Sequence, residues 1–236
     1  MTLKGICLAG AALWLAATVG VAAAQADVTV GNADSGNCYP FSCGPTDGLT
    51  EYQQAYNPSA FSGPITFDKV SFSMWTGANF GPMDSGTYSV SFFLSTQPVG
   101  SLSSNLASNE GTFLGSFGTF NLSGSMPSVL TLNGSKISYN PAAGTLLMDV
   151  GVSNGSSASG FYNVFFNADY TGVSTSRAWN SSIYGAFGNS NGALQTTFGA
   201  AVPEPATWAT MLIGLGAIGA AMRSTRRKTG LAAVAV

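Results

Sequence analysis

Between residues 65 and 198 apolar side chains fall mainly at every second position, in short runs broken by Gly, Asn and Ser. A period of two is what a strand with one buried face requires. No stretch between Asp27 and Pro203 carries sustained helical periodicity. Tyr88, Val90, Phe92 and Leu94 alternate cleanly, and so do Leu146, Met148, Val150 and Val152, with Asn154-Gly155 closing that run. Ile65 and Phe67 share one face and Val70, Phe72 and Met74 another, because the parity shifts at Asp68-Lys69. A bulge there restores a single buried face and turns Lys69 to water. Short strands are expected over residues 113–122 and 129–132. Asn133-Gly134 is a hairpin signal leading into residues 136–139. Residues 161–166 are nearly all apolar and suit a central strand, and residues 194–198 a last one. The pattern predicts an all-β domain, an antiparallel two-sheet sandwich of jelly-roll type.

Charge narrows the partners. The domain over residues 27–201 has Lys69, Lys136 and Arg177 as its basic residues, while all ten acidic residues of the chain except Glu204 lie within it. A sparsely charged, net acidic domain is a poor partner for nucleic acid. Cys38 and Cys43, in Cys38-Tyr39-Pro40-Phe41-Ser42-Cys43, are expected to pair in an exported chain. So short a ring is a local clip worth roughly 2 kcal/mol or less. A redox or metal pair is the alternative, but further Cys or His ligands are absent.

Both ends read as addresses. Lys4 precedes an apolar, Ala-rich stretch, and Ala24-Gln25-Ala26 is a small-x-small cleavage site, so residues 1–26 read as a signal peptide opening the mature chain at Asp27. Residues 206–222 contain no charge and, as a helix, extend about 25 Å at ~1.5 Å per residue. That is a short transmembrane helix for a ~30 Å hydrocarbon core. The basic stop over residues 223–228 follows and would remain cytoplasmic, placing everything before Pro203 outside the inner membrane. Residues 229–236 are then a cytoplasmic tail.

The tail has a fixed order of parts: Pro203-Glu204-Pro205, then Trp208, then Gly214, Gly216 and Gly219 in the apolar span, then Arg223, Arg226 and Arg227. It closely resembles the PEP-CTERM sorting signal of Gram-negative bacteria, over residues 202–228. The chain departs from that pattern only by running on past Lys228. The resemblance implies a membrane-embedded processing partner, the exosortase, alongside signal peptidase. It also implies passage from an inner-membrane precursor to the cell surface or medium, in a system that accompanies exopolysaccharide and biofilm.

Catalytic chemistry finds little footing. The chain has no histidine, which removes Ser-His-Asp triads, Cys-His nucleophiles and histidine zinc sites together. A two-carboxylate glycosidase remains conceivable, since it needs only a suitably spaced acid pair. Asp149 and Asp169 lie near strands, but nothing in the sequence joins any two acids. The oxygen-rich stretches at residues 32–37 and 47–51 follow no EF-hand pattern and read as turns. Neither cofactor nor metal is expected. Trp75 and Trp179 lie in Asn- and Ser-rich, loop-prone surroundings and are candidates for carbohydrate binding, against the commoner role of tryptophan as core. The expected function is that of an exported, non-enzymatic surface or matrix protein, with a lectin-like carbohydrate-binding module as the alternative.

Overall fold

The computed structural model describes residues 26–77, 82–125, 127–156 and 164–200, together with Leu212, Gly214, Leu215, Gly216 and Ile218 of a short helix. In chain order the strands are β1 (Val28–Val30), β2 (Ser35–Asn37), β3 (Leu49–Tyr56), β4 (Ile65–Ser73), β5 (Pro82–Ser95), β6 (Glu110–Ser125) and β7 (Val129–Tyr139). They continue as β8 (Leu146–Ser156), β9 (Phe166–Asp169), β10 (Thr175–Ser181), β11 (Gly185–Ser190), β12 (Ala193–Leu194) and β13 (Thr196–Ala200). All pairings among them are antiparallel.

Three sheets form, with orders β1-β13-β4-β7, β11-β10-β3-β8-β5-β6 and β12-β9-β2. Without β2 and β9–β12, the remaining eight strands interleave as β1-β13-β4-β7 against β3-β8-β5-β6, which is the order of a jelly roll. The extra strands widen the larger sheet by the β10–β11 hairpin and add the small third sheet. That third sheet is a departure from the two sheets read in the sequence. Its anchor is a buried amide: Gln54 of β3 donates to the Leu194 carbonyl at 2.7 Å and accepts from the Leu194 amide at 2.8 Å. A buried glutamine satisfied at both ends links two sheets without leaving an orphan polar group.

Aromatic rings close the two large sheets on each other. Phe67 of β4 meets Phe92 of β5 at 5.0 Å and Phe198 of β13 at 4.9 Å between centroids, in edge-to-face contacts. Such pairs add to simple area burial. The bulge predicted in β4 is present: against β13, Lys69 pairs with Gly199 and Phe67 with the next residue, Ala200, so Asp68 is the extra residue. Ile65, Phe67, Val70 and Phe72 are therefore all buried, while Lys69 reaches Asp27 at 3.6 Å.

Two expectations fail for a common reason. Asn133-Gly134 does not turn a hairpin, because β7 runs unbroken from Val129 to Tyr139. Gly134 instead lets Phe117 of β6 approach its backbone, where an added Cβ would collide with the Phe117 carbonyl and ring. Asn154-Gly155 likewise does not close β8, which continues to Ser156 through a bulge against β5, with Asn154 at a φ of 51°. In both places tertiary packing uses the permissive dipeptide to bend a strand that continues. Of the apolar run at residues 161–166, residues 161–163 lie outside the described residues. Phe166 opens β9, the middle strand of the third sheet.

The Cys38–Cys43 disulfide forms, with Cα atoms 5.3 Å apart. The loop it closes is a plug. Phe41 at its centre is fully buried and meets Phe72 at 5.0 Å, Tyr88 at 5.3 Å and Phe166 at 6.1 Å, one ring from each sheet. The Tyr88 hydroxyl donates to the Phe41 carbonyl at 3.1 Å, and the Val164 amide donates to Ser42 Oγ at 2.9 Å. The plug, more than the clip, should therefore carry the energy. Phe41→Ala is expected to cost about 3–5 kcal/mol, and replacing both cysteines by serine about 2 kcal/mol or less. Urea unfolding followed by tryptophan fluorescence checks the ranking, and a cysteine pair that costs more than Phe41 contradicts it.

Candidate functional site

The structure assembles a cluster that no local motif announces. Glu51 and Gln53 alternate on the outer face of β3, Asp149 lies beside Gln53 in the β3–β8 register, and Glu110 stands at the start of β6. Carboxylate oxygens of Glu51, Glu110 and Asp149 lie within 4.8 Å of one another. Gln53, fully buried, aims its Nε2 at all three: 3.4 Å to Glu51, 3.2 Å to Glu110 and 3.1 Å to Asp149. Its direction is fixed from behind, because buried Asn109 donates Nδ2 to Gln53 Oε1 at 2.9 Å.

That arrangement decides what the cluster can do. Three carboxylates so close cannot all ionise, and burial adds to the penalty. Burial, then the neighbouring Glu51 carboxylate, pushes Asp149 up to about 7. Burial likewise raises Glu51, against a lowering hydrogen bond to Asp149. Three clustered acids are the kind of set that could hold a divalent cation. Here, however, the Gln53 amide occupies their centre as a neutral donor, and a glutamine serving a cation would offer its oxygen instead. The cluster is a proton-sharing polar network at the edge of a small apolar cluster of Ala55, Leu102, Leu106, Leu147 and Ala178.

The tryptophans lie apart. Trp75 follows β4, close to Gly36 of β2 and to Gly77, where a Cβ on either glycine would collide with its ring. Trp179 is on a strand, not in a loop. It belongs to β10, in register with core Tyr52 of β3 and Phe187 of β11. Phe187 stacks on it at 4.9 Å and 18°, the Arg177 guanidinium lies 4.7 Å from its ring centre, and Tyr39 of the plug meets it edge-on at 5.8 Å. Tyr39 in turn donates its hydroxyl to Asp47 at 2.7 Å, and burial, then that bond, raises its ionisation further. Arg177 Nε donates to the Asn191 carbonyl at 2.8 Å. Among the described residues its buried Nη1 has no hydrogen-bond partner.

Of the address residues, Ala26 is exposed, and Gly214 and Gly216 are helical beside exposed Leu212, Leu215 and Ile218. Ala24, Pro203, Glu204, Pro205, Trp208, Gly219, Arg223, Arg226 and Arg227 lie outside the described residues. Among the described residues no helix is long and apolar enough to cross a membrane.

A carboxyl raised in the fold binds more protons there than in the unfolded chain. Its contribution is thus present at low pH and lost as pH rises from about 4 through 7. Asp149→Asn keeps an acceptor for Gln53 and removes the charge. Unfolding midpoints at pH 5 and pH 8 should therefore converge in this variant, with a gain at pH 8 on the order of 1–2 kcal/mol. An unchanged pH profile contradicts the network.

Residues 201–228 match the family model of the PEP-CTERM protein-sorting motif. No curated protein and no solved structure matches the chain.

Proposed function

We propose that this chain, which bears a PEP-CTERM motif, is an exported structural or adhesive protein of the cell surface or extracellular matrix, without enzymatic activity. In this reading a signal peptide ending at Ala26 is removed and residues 206–222 hold the precursor in the inner membrane. An exosortase then acts near Pro203-Glu204-Pro205. The observation that carries the reading is the motif match over residues 201–228, which marks a protein sorted by the exosortase system. Three features of the sequence and fold support it. The leader and the basic stop agree on topology. The Cys38–Cys43 bridge suits an oxidising compartment. The β domain draws its polar surface from Ser, Thr and Asn, as in the paired hydroxyls Thr29–Thr197, Ser71–Thr131 and Ser89–Thr119.

Association with exopolysaccharide or biofilm belongs to the same reading. The short Gly-rich span favours transfer to a processing partner over permanent anchoring, since small residues let membrane helices approach closely. Replacing Pro203, Glu204 and Pro205 by alanine should leave export intact and block maturation in a host with exosortase, so that precursor accumulates in the inner membrane. Membrane fractionation and immunoblotting read the outcome. A variant that matures and distributes like the parent would show that the tail is an ordinary anchor.

A further inference from the structure

Sheet register fixes where the chain enters and leaves the β domain. β13 lies between β1 and β4. Val28 pairs with Phe198, and Ala200 pairs with Phe67 near the start of β4. β1 therefore begins, and β13 ends, toward one and the same end of the sandwich. Tyr139, the last residue of β7, stands there in register with Ile65. The plug closes the opposite end: the Asp84 amide, near the start of β5, donates to the Ser42 carbonyl at 3.1 Å. Met74, just past β4, bridges to Phe166, which packs on Phe41.

The end toward which β13 runs is built from two copies of one motif. Asn57-Pro58-Ser59-Ala60 precedes β4 and Asn140-Pro141-Ala142-Ala143 follows β7. Each folds as a short 3-10 turn, Pro58–Ala60 and Pro141–Ala143. Asn57 Oδ1 accepts from the Ser59 amide at 3.0 Å, and Asn140 Oδ1 accepts from the Ala142 amide at 3.1 Å. Proline pre-sets the backbone and the asparagine caps it, so both turns are stiff. The turns touch each other, and behind them Phe61 meets Tyr139 edge-on at 5.0 Å. Ser59, Ser62, Asn140 and Ala142 are exposed there. Residues 57–64 and 138–145 contain no charged side chain, on a domain with nine acidic and three basic residues.

Tether length and charge select what this end faces. Five residues, 201–205, separate Ala200 from the uncharged run over residues 206–222. Fully extended, they reach roughly 20 Å. Met74, where packing on the plug begins, lies seven residues along β4 from Phe67, or about 23 Å at ~3.3 Å per residue. Turning the plug to the bilayer would need a reversed and longer tether. Either flank would bring charges down instead: Glu51, Glu110 and Asp149 on the outer face of the larger sheet, or Asp27, Asp68 and Lys69 beside β1 and β13. An anionic headgroup layer repels an acidic domain least where carboxylates are missing. We propose that the end of the sandwich carrying the twin Asn-Pro-x-Ala turns docks on the lipid headgroup layer of the membrane that holds residues 206–222. The domain then stands upright, with the plug and the β10–β11 turn directed away from the bilayer. A processing partner has to reach Pro203-Glu204-Pro205 in the gap beneath the twin turns. This orientation rests on the reading of residues 206–222 as the precursor's membrane anchor.

The test uses the leader-free full chain with its tail intact, made in cells without exosortase. It is reconstituted in vesicles of phosphatidylethanolamine and phosphatidylglycerol that carry a nitroxide-headgroup lipid. A fluorophore is attached to one introduced cysteine at an exposed position, the Cys38–Cys43 pair being oxidised. The variants are Ala142→Cys in the twin turns, Val129→Cys at the far end of β7 and Ile183→Cys in the β10–β11 turn, and each should unfold at the parent's midpoint. Nitroxide quenching should be several-fold stronger at 142 than at 129 or 183. Equal quenching at 142 and 129 means that the sandwich lies on its side, and strongest quenching at 183 that it is inverted. Either result overturns the proposal and leaves the anchor reading standing, as does weak quenching at all three positions of a chain that floats with the vesicles. A chain that does not float with them contradicts the anchor reading itself, and the proposal falls with it.

Discussion

The insertion of Phe41 between Phe72, Tyr88 and Phe166 is the contact on which the remaining architecture leans. Each of those rings comes from a different sheet, so one side chain holds three layers in register. The disulfide matters because it presents that ring: it closes the six-residue segment whose centre is Phe41 and whose Tyr39 faces the other way, toward Trp179. Core closure and the edge-on support of Trp179 on β10 thereby come from one loop. A second aromatic node, Phe67 with Phe92 and Phe198, joins the two large sheets further along the sandwich.

How far the sequence disclosed this depended on whether the signal was local. Alternation placed β5 and β8 well, and the parity break at Asp68-Lys69 located the β4 bulge, because side-chain period and burial are coupled within one strand. Leu49–Tyr56 was not visible as a strand, since Gln53 and Gln54 stand where a half-buried pattern wants one apolar and one polar residue, and both are buried. Their burial is intelligible only through partners about 55 and 140 positions away, Asn109 and Leu194. The same distance hides the acid cluster: Glu51 and Asp149 become neighbours only through β3–β8 pairing. The Asn-Gly pairs misled because the dipeptide specifies permissive backbone, which serves a bulge as readily as a turn.

The tail follows the opposite logic. Its parts are contiguous and ordered, so residues 203–227 were legible without any fold, and the motif match over residues 201–228 agrees. The β domain has no such label, and its chemistry had to be assembled from geometry. That geometry separates two surfaces. On the outer face of β3 and β8 a buried glutamine donates toward three acids and holds them together. On the β10–β11 hairpin, by contrast, Trp179 and Phe187 stack on each other, with the Arg177 guanidinium against the Trp179 ring.

The most direct test of this account is intact-mass spectrometry of the protein purified from the envelope and medium of cells that carry an exosortase. The account predicts a mature chain that begins at Asp27, contains an oxidised Cys38–Cys43 pair, and ends near Pro203-Glu204-Pro205 without the basic cluster. A chain recovered with its leader, with both thiols free and with Arg223–Lys228 still attached would contradict it.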